Sequence, residues 1–362
     1  MADPVAPREQ VELVIDGRRH EGWTAVSITR AIDTLAGSFE LTLAERWAGQ
    51  PDRFDLKAGA ACTVRIGGET VITGHVDQLR VRLSGEEHEL TVIGRDRAGD
   101  LVDCSAIPKF TSYRGVRLET LVRDLVEPFG IDVTVSTATG DPIRVFAVQQ
   151  GETVQAAIER LCRMRGLIAI SRSDGGIDLT TPSAAGASVM RVRTGDNLLE
   201  ATATHDVSER FSQYIVKGQA AGDDTLNGAA AASPSARAAD PAITRYRPQI
   251  VIAEDQATIA ALIARAKFEA SVRAGRAQSA EVTVLGWRTP GGALIAPNQL
   301  IDIEAPELFI EGRMLIEAAR LVLDGQGERA ELSVVPPQAY SQIAVPEQAE
   351  ASRVRRRRGE RA

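Results

Sequence analysis

Four histidines, three cysteines and one cluster of aspartates are the side chains that could do chemistry, and their spacing decides whether they do. His20, His75, His88 and His205 stand singly, with no HxxxH or HExxH spacing that would bring two imidazoles to one metal ion. Each reads as a surface residue on a strand or turn, and no metal ligand is assigned. Cys62, Cys104 and Cys162 cannot all pair, show no CxxC spacing and lie among apolar neighbours, where cysteine behaves as a small hydrophobe. Asp96, Asp100 and Asp103 could form an acid/base or Mg²⁺ cluster, but Arg95 and Arg97 are interleaved with them, which favours a charge-balanced exit from a strand.

Other segments imitate functional loops. Gly325-Gln326-Gly327 after Asp324 has the glycine content of a phosphate loop, yet it joins two strand patterns and opens no helix, so it reads as a hairpin. No G-x-S-x-G elbow is present, and the loop serine Ser173 has no histidine within its segment. Gln150-Gly151-Glu152-Thr153 and the helix pattern after it are similar to the opening of peptidoglycan-binding modules, but the next strand runs into a hairpin. The assignment is therefore no catalytic, cofactor-binding or metal residue, no cofactor, and no enzyme.

The elements that would position any site fall into blocks. At 362 residues, the chain is long enough for two or three domains, and its 44% hydrophobic and 25% charged fractions exclude wholesale disorder and a disulfide scaffold. From Val11 to Val102, period-two alternation predicts about seven short strands, separated by turns such as Asp16-Gly17 and Gly67-Gly68. That is the pattern of a small barrel or sandwich. After Pro108 come two helix-then-strand units, with Val116 to Val126 stopped at Pro128-Phe129-Gly130 and Val154 to Cys162 stopped at Arg165-Gly166, then a hairpin at Asp174-Gly175-Gly176. Strand pattern returns at Val189, Leu199 and Tyr214, lapses from Gly218 to Ala242, and resumes at Ala280 after a helix over about Asp255 to Ala274 with Gly275 as its stop. The lapse is rich in Ala, Gly, Ser and Asp, which predicts a mobile surface loop.

The last strand block echoes the first. Leu79-x-Val81-x-Leu83-Ser84-Gly85 followed by Leu90-x-Val92 is matched by Leu321-x-Leu323-Asp324-Gly325 followed by Leu332-x-Val334, at an offset between 240 and 242. Gly59-x2-Cys62 is matched by Pro297-x2-Leu300 at an offset of 238. Two copies of one barrel give this pattern, and so do two unrelated β-meanders. The expected class is α+β and multidomain: a first barrel in residues 1–107, an α/β domain in 108–186, and a second barrel in 187–218 and 278–340. The second barrel is interrupted by the loop and helix of 219–277, and an Arg-rich flexible tail occupies 341–362.

Charge narrows the partners. The net charge is −7, but the segment from Pro346 to Ala362, with six arginines and three glutamates, contributes +3 and leaves the body at −10. A body this acidic does not suit a phosphate backbone, and the tail has no aromatic residue to stack on bases. No run of about 18 apolar residues occurs and MADPVAPREQ lacks a signal-peptide pattern, so membrane insertion is not expected and folding is expected in the cytosol.

Three segments carry a resemblance over about residues 8 to 340: Leu56 to Gly94, Val145 to Ile170 and Leu199 to Gly218. The chain resembles the baseplate central hub proteins of Mu-like contractile-tailed phages, within the superfamily of late control protein D and the type VI secretion spike hubs. The resemblance implies a homotrimer in which two similar barrels per subunit alternate as a pseudo-sixfold ring, adapting a sixfold tail tube to a threefold central spike. It implies contacts with the tube or tube-initiator protein, the spike, baseplate wedge proteins and the tape measure protein, with DNA only in transit. The expected location is the virion's tail baseplate, after assembly in the host cytoplasm. The competing readings are a cell-wall-binding or lytic tail component and a spike adaptor of a non-phage contractile injection machine.

Overall fold

A computed structural model describes residues 9–45, 56–84, 88–183, 186–218, 234–252 and 259–340. The protein is a mostly β, multidomain chain with few helices. Its front block holds β1 (Val11–Ile15), β2 (Arg18–His20), β3 (Ala25–Ala31), β4 (Ser38–Glu45), β5 (Ala61–Ile66), β6 (Glu69–Leu83) and β7 (His88–Asp96). A short α1 (Gly99–Asp103) leads to α2 (Leu118–Val126), β8 (Val133–Val135), α3 (Val154–Arg165), β9 (Ile168–Ser171) and β10 (Ile177–Thr180). Then come β11 (Met190–Arg193), β12 (Leu198–His205), β13 (Gln213–Lys217), β14 (Ser235–Ala239), β15 (Pro248–Ile252) and α4 (Ile259–Arg276). The rear strands are β16 (Gln278–Leu285), β17 (Leu300–Ala305), β18 (Ile310–Asp324) and β19 (Gly327–Val335).

Front and rear strands join one 13-stranded sheet in which β12-β16-β19-β18 continues into β3-β4-β7-β6-β5-β1-β2, with β17 on β18 and β11 on β17. Alternate residues of both halves, among them Leu13, Ile28, Leu41, Val282, Ile316 and Leu332, form one buried cluster. Period two is the physical reason, since every second side chain leaves the same face of a strand.

Within this sheet the two halves share a strand order. The front runs β3-β4-β7-β6-β5 and the rear β12-β16-β19-β18-β17. In β6 and β7, Val76 faces Gly94, Gln78 faces Ile93 and Leu79 faces Val92. In β18 and β19, Ile316 faces Val334, Ala318 faces Ser333 and Ala319 faces Leu332, so one constant offset of 240 relates every pair to its twin. The register steps over Asp77 and Glu317, so a β-bulge occupies the same place in both halves.

This register corrects two of the sequence matches. Val92 corresponds to Leu332 and not to Val334, and Cys62, opposite Gly74, corresponds to Ile301, opposite Met314, and not to Leu300. The flanking strands differ, because β1 pairs with β5 antiparallel whereas β11 pairs with β17 parallel.

The bulge also explains an error in element length. Val71–Val76 and Leu79–Leu83 read as two strands, but they are the two arms of the single 15-residue β6. Ile72 and Val76 are buried before the bulge and Leu79 packs on the core after it, because one extra residue changes which parity faces inward. β18 merges the Ile310, Met314–Ile316 and Leu321–Leu323 patterns in the same way.

In the middle segment β8 pairs parallel and β9 antiparallel with β10, and α2 buries Leu118, Leu121, Val122 and Leu125. Gly130 ends the turn after α2 in the left-handed region at φ 63°, where glycine carries no Cβ clash.

The reading of 219–277 as a loop with one helix is corrected. Asp206–Ala277 is the main part of a second compact unit, in which β14-β13-β15 form a three-stranded sheet. Val216, Ala236, Leu262 and Ala266 make its core, with α4 on β13 and β14. β13 therefore leaves the second barrel to which its pattern had assigned it, and β14 lies inside the stretch expected to be a mobile loop. That strand, SARAA, has no large apolar residue to announce it; its small side chains are what let Leu262 approach. The 219–233 part of the expected loop and the 341–362 tail lie outside the described residues. Gly275 is not a stop. It sits inside α4, where a Cβ would come within 2.5 Å of the Ala339 backbone nitrogen.

Candidate functional site

Several of the side chains with chemical potential hold the structure together. Asp96 is buried and accepts from the Gly37 N–H at 2.7 Å and the Ala98 N–H at 3.0 Å, tying the β3–β4 turn to the end of β7. Burial pushes its carboxyl above the ordinary range. Arg95 grips Asp103 with both terminal nitrogens and donates through Nε to Asp77, holding the bulge and holding the Asp103 carboxyl below its ordinary range. Asp100 is exposed and its backbone oxygen accepts the Cys104 N–H. Arg95 thus balances Asp103, whereas Asp96 is held by backbone N–H groups and Asp100 faces solvent.

The histidines remain separate. His20 ends β2, its imidazole held below the ordinary range by burial and by Arg18, and His75 lies within β6, His88 at the start of β7. His205 ends β12 and bonds the Leu308 carbonyl at 3.0 Å. Among the described residues no group of three His, Cys, Asp or Glu side chains could hold a metal ion. Gly325 and Gly327 flank the β18–β19 turn, where Asp324 accepts the Gln326 N–H. The carbonyl of Ser173 accepts from Thr73 Oγ1 at 2.9 Å and that of Ser171 from Arg30 at 2.7 Å, docking the β9–β10 turn on the large sheet. Beneath it, Arg30, Thr70, Ser173, Ile295 and Leu321 line a pocket of about 110 Å³. Small-molecule sites run to about 300–1,000 Å³, so this one holds a few waters at most.

What the fold does offer is strand edge. Among the described residues, β6 beyond its bulge pairs only with β7, and β12 pairs from Glu200 to His205 only with β16. On the outer arm of β6, Val81 and Leu83 are 61% and 68% exposed, whereas Leu321 and Leu323, their counterparts in β18, are 5% and 7% exposed. The difference is β3, which lies along β18 from Ala318 to Leu323 and covers it. β12 is correspondingly bare: Glu200, Thr202, Thr204 and His205 are exposed, and Ala201 and Ala203 only half-buried. Further exposed apolar side chains stand on Phe110, Tyr246, Ile252 and Phe309. Sequence reading gave none of these positions a functional role. The signal for β6 and β12 lay in the repeat itself, once the bulge set its register.

Open strand edges and exposed apolar side chains are the equipment of an assembly component. Comparison with known proteins agrees. Family profiles match in succession: Mu phage baseplate assembly protein GpP-like, N-terminal, over residues 10–96; baseplate hub protein gp44-like, second domain, over 98–181; tail protein NMB1110-like, third domain, over 210–267; and Mu phage baseplate assembly protein GpP, fourth domain, over 258–342. The chain is 33% identical over 339 residues to the baseplate hub protein gp44 of Escherichia phage Mu, covering 91% of this chain and 88% of that protein. A 43 kDa tail protein of prophage MuSo2 from Shewanella oneidensis has the same fold at TM-score 0.80 and 33% identity, covering 91% of this chain and 99% of that one. A tail protein from Neisseria meningitidis MC58 follows at TM-score 0.77 and 23% identity, covering 93% and 100%. At 10% identity and TM-score 0.58, over 92% of this chain and 80% of the other, the fold alone is shared with an E. coli type VI secretion component. The chain belongs to the baseplate hub proteins of Mu-like phage tails, a structural and non-enzymatic family of the virion's tail baseplate. The third family domain falls on the β13–β15 and α4 unit that the sequence pattern read as loop and helix.

Proposed function

We propose that three copies of the chain form the ring at the centre of the baseplate, each contributing its front and rear halves as two like barrel modules. Six modules then meet the sixfold tail tube, while the threefold repeat of whole chains meets the central spike. One observation carries the reading: the same strand order, the same bulge and the same register occur twice in one chain. Duplicating a module is the direct way for three polypeptides to present six similar faces. Wedge proteins and the tape measure protein complete the surroundings.

The ring encloses a channel through which DNA passes without being held. A body charge of −10 supports this, because a negative wall repels phosphates and lets the polymer slide. An arginine-lined channel in an assembled ring would contradict it.

Light scattering on the full chain, alone and with its cognate spike, tests the stoichiometry. The expected species is a trimer near 116 kDa, three times the 38.8 kDa chain. A chain that stays monomeric with the spike present, or that pulls down peptidoglycan, would favour a cell-wall-binding component instead.

A further inference from the structure

Inside one chain the front and rear halves are already joined, and the joint is a strand pairing. β3 runs antiparallel to the outer arm of β18, with Arg30 opposite Ala319, Ile28 opposite Leu321 and Val26 opposite Leu323. Each partner in this joint has a counterpart elsewhere in the chain. The outer arm of β18 corresponds to the outer arm of β6, at the constant offset of 240. β3 corresponds to β12: Val26 is opposite Leu41 and Leu41 opposite Val92, just as Ala201 is opposite Val282 and Val282 opposite Leu332. Among the described residues both counterparts lack the strand partner that the internal joint supplies; Val81 and Leu83 face water, and Ala201 and Ala203 are only half-buried.

We infer that the outer arm of β6 in one copy pairs antiparallel with β12 of the next copy, repeating between chains the β18–β3 joint made within each chain. Carrying the internal register across gives the partners: Leu79 opposite His205, Arg80 opposite Thr204, Val81 opposite Ala203, Arg82 opposite Thr202 and Leu83 opposite Ala201.

The side chains suit this register. Leu79, Ala201 and Ala203 already pack on the edge of the core, so the paired strands extend one apolar layer in which Val81 and Leu83 cover the small alanines. On the other face Arg80 and Arg82 stand opposite two threonines, and Arg82 is diagonal to Glu200, within reach of a cross-strand ion pair. Pairing also fills the free backbone donors and acceptors of two edges that would otherwise template uncontrolled association.

The contact is heterologous, β6 to β12, and such contacts close into rings when the rotation allows. The inference rests on the ring proposed above and adds which strands make its seams, so that internal and external seams alternate around six modules.

Disulfide trapping on the full chain tests it. One variant carries Cys104→Ser, Val81→Cys and Ala203→Cys; a second carries Cys104→Ser, Arg82→Cys and Thr202→Cys, so that one of the two opposed pairs has the closer, non-hydrogen-bonded geometry. Each is oxidised with copper phenanthroline, with and without the cognate spike, and run on non-reducing gels. The expected result is a ladder ending at the covalent trimer from at least one variant, single-cysteine chains that stay monomeric, and a covalent dimer on mixing Val81→Cys with Ala203→Cys chains. A trimer by light scattering with no ladder from either variant overturns the strand pairing and leaves the hub ring standing. A chain that remains monomeric with the spike present removes the ring, and the seam with it.

Discussion

The outer arms of β6 and β18 share length, bulge and register, yet one is wet and the other dry. Leu321 and Leu323 have β3 paired alongside them; Val81 and Leu83, their twins in the front half, face solvent. The apolar face does not separate them, since Val81 and Leu83 match Leu321 and Leu323; only the other face differs, with Arg80 and Arg82 in β6 against Arg320 and Val322 in β18. The neighbour decides, and the contrast shows that a duplicated element can be core in one copy and interface in the other.

Substitutions at matched positions can break that comparison. Leu321→Lys places a cation inside the internal joint and should cost about 4 kcal/mol or more, seen as loss of the cooperative thermal transition. Val81→Lys is the same change at the wet counterpart, and should leave the monomer's Tm within about 2 °C while weakening assembly about tenfold or more by analytical ultracentrifugation. Equal effects on folding at the two sites would mean that burial does not distinguish the arms.

A second matched pair concerns close approach. At Gly94 a Cβ would stand 2.2 Å from the His75 carbonyl oxygen and 2.5 Å from the Phe39 ring, while Val334 occupies the equivalent place in the rear half. Gly94→Val should therefore destabilise by about 3 kcal/mol through overpacking, and Val334→Gly by a similar amount through cavity and backbone entropy, both read by urea unfolding. A Gly94→Val chain as stable as the parent would show that the front sheet can open there as the rear has done.

The β13–β15 unit supplies a smaller, pH-dependent effect with no counterpart in the twin halves. Arg210 donates to both oxygens of buried Asp240 at 2.8 Å, holding that carboxyl below its ordinary range. Because the folded-state pKa is depressed, the contribution is complete above the ordinary carboxylate value near 4 and fades as pH falls through the lowered one. Asp240→Asn should lower stability by about 2 kcal/mol at pH 7, with the gap to the parent shrinking below about pH 4. A gap that does not change with pH would assign the loss to packing.

The smallest effect should come from Cys62. Its rear counterpart is Ile301, both are buried, and burial pushes the Cys62 thiol up to about 12. Cys62→Val should change stability by less than about 1.5 kcal/mol, and Cys62 should resist iodoacetamide at pH 8 while exposed Cys104 reacts.

Much of the fold was legible in the residues. Period-two runs in the sheet and 3.6-period runs such as Leu118 to Val126 are physical consequences of which face must be dry, so they mark elements directly. Two things were hidden for reasons just as physical. A bulge at Asp77 or Glu317 reverses the inward parity, which imitates a strand break, and the offset that is 240 along β6 and β7 is 239 from Cys62 to Ile301 and 241 from Leu41 to Val282. In β14 alanine fills the space beneath Leu262, and a strand built of small residues has the composition of a loop. The insertion itself follows from the repeat: β3 and β4 are joined by a short turn, whereas between their counterparts β12 and β16 the chain makes the whole β13–β15 unit and returns, with the Asp206 N–H bonded to the Ala277 carbonyl at 2.8 Å. Chain ends that close together are what insertion at a hairpin tip requires. The candidate seam was invisible to motif reading because an assembly surface has no obligatory residue types, only edges without neighbours.

Electron cryomicroscopy of the full chain assembled with its cognate spike would decide whether twin modules build the hub. The expected map is a ring of three chains in which a sixth of a turn superposes front modules on rear modules, with Val81 of each copy beside Ala203 of its neighbour. A ring in which the two halves of the large sheet lie at unrelated angles, or in which β12 is covered by anything other than the neighbour's β6, would overturn that picture.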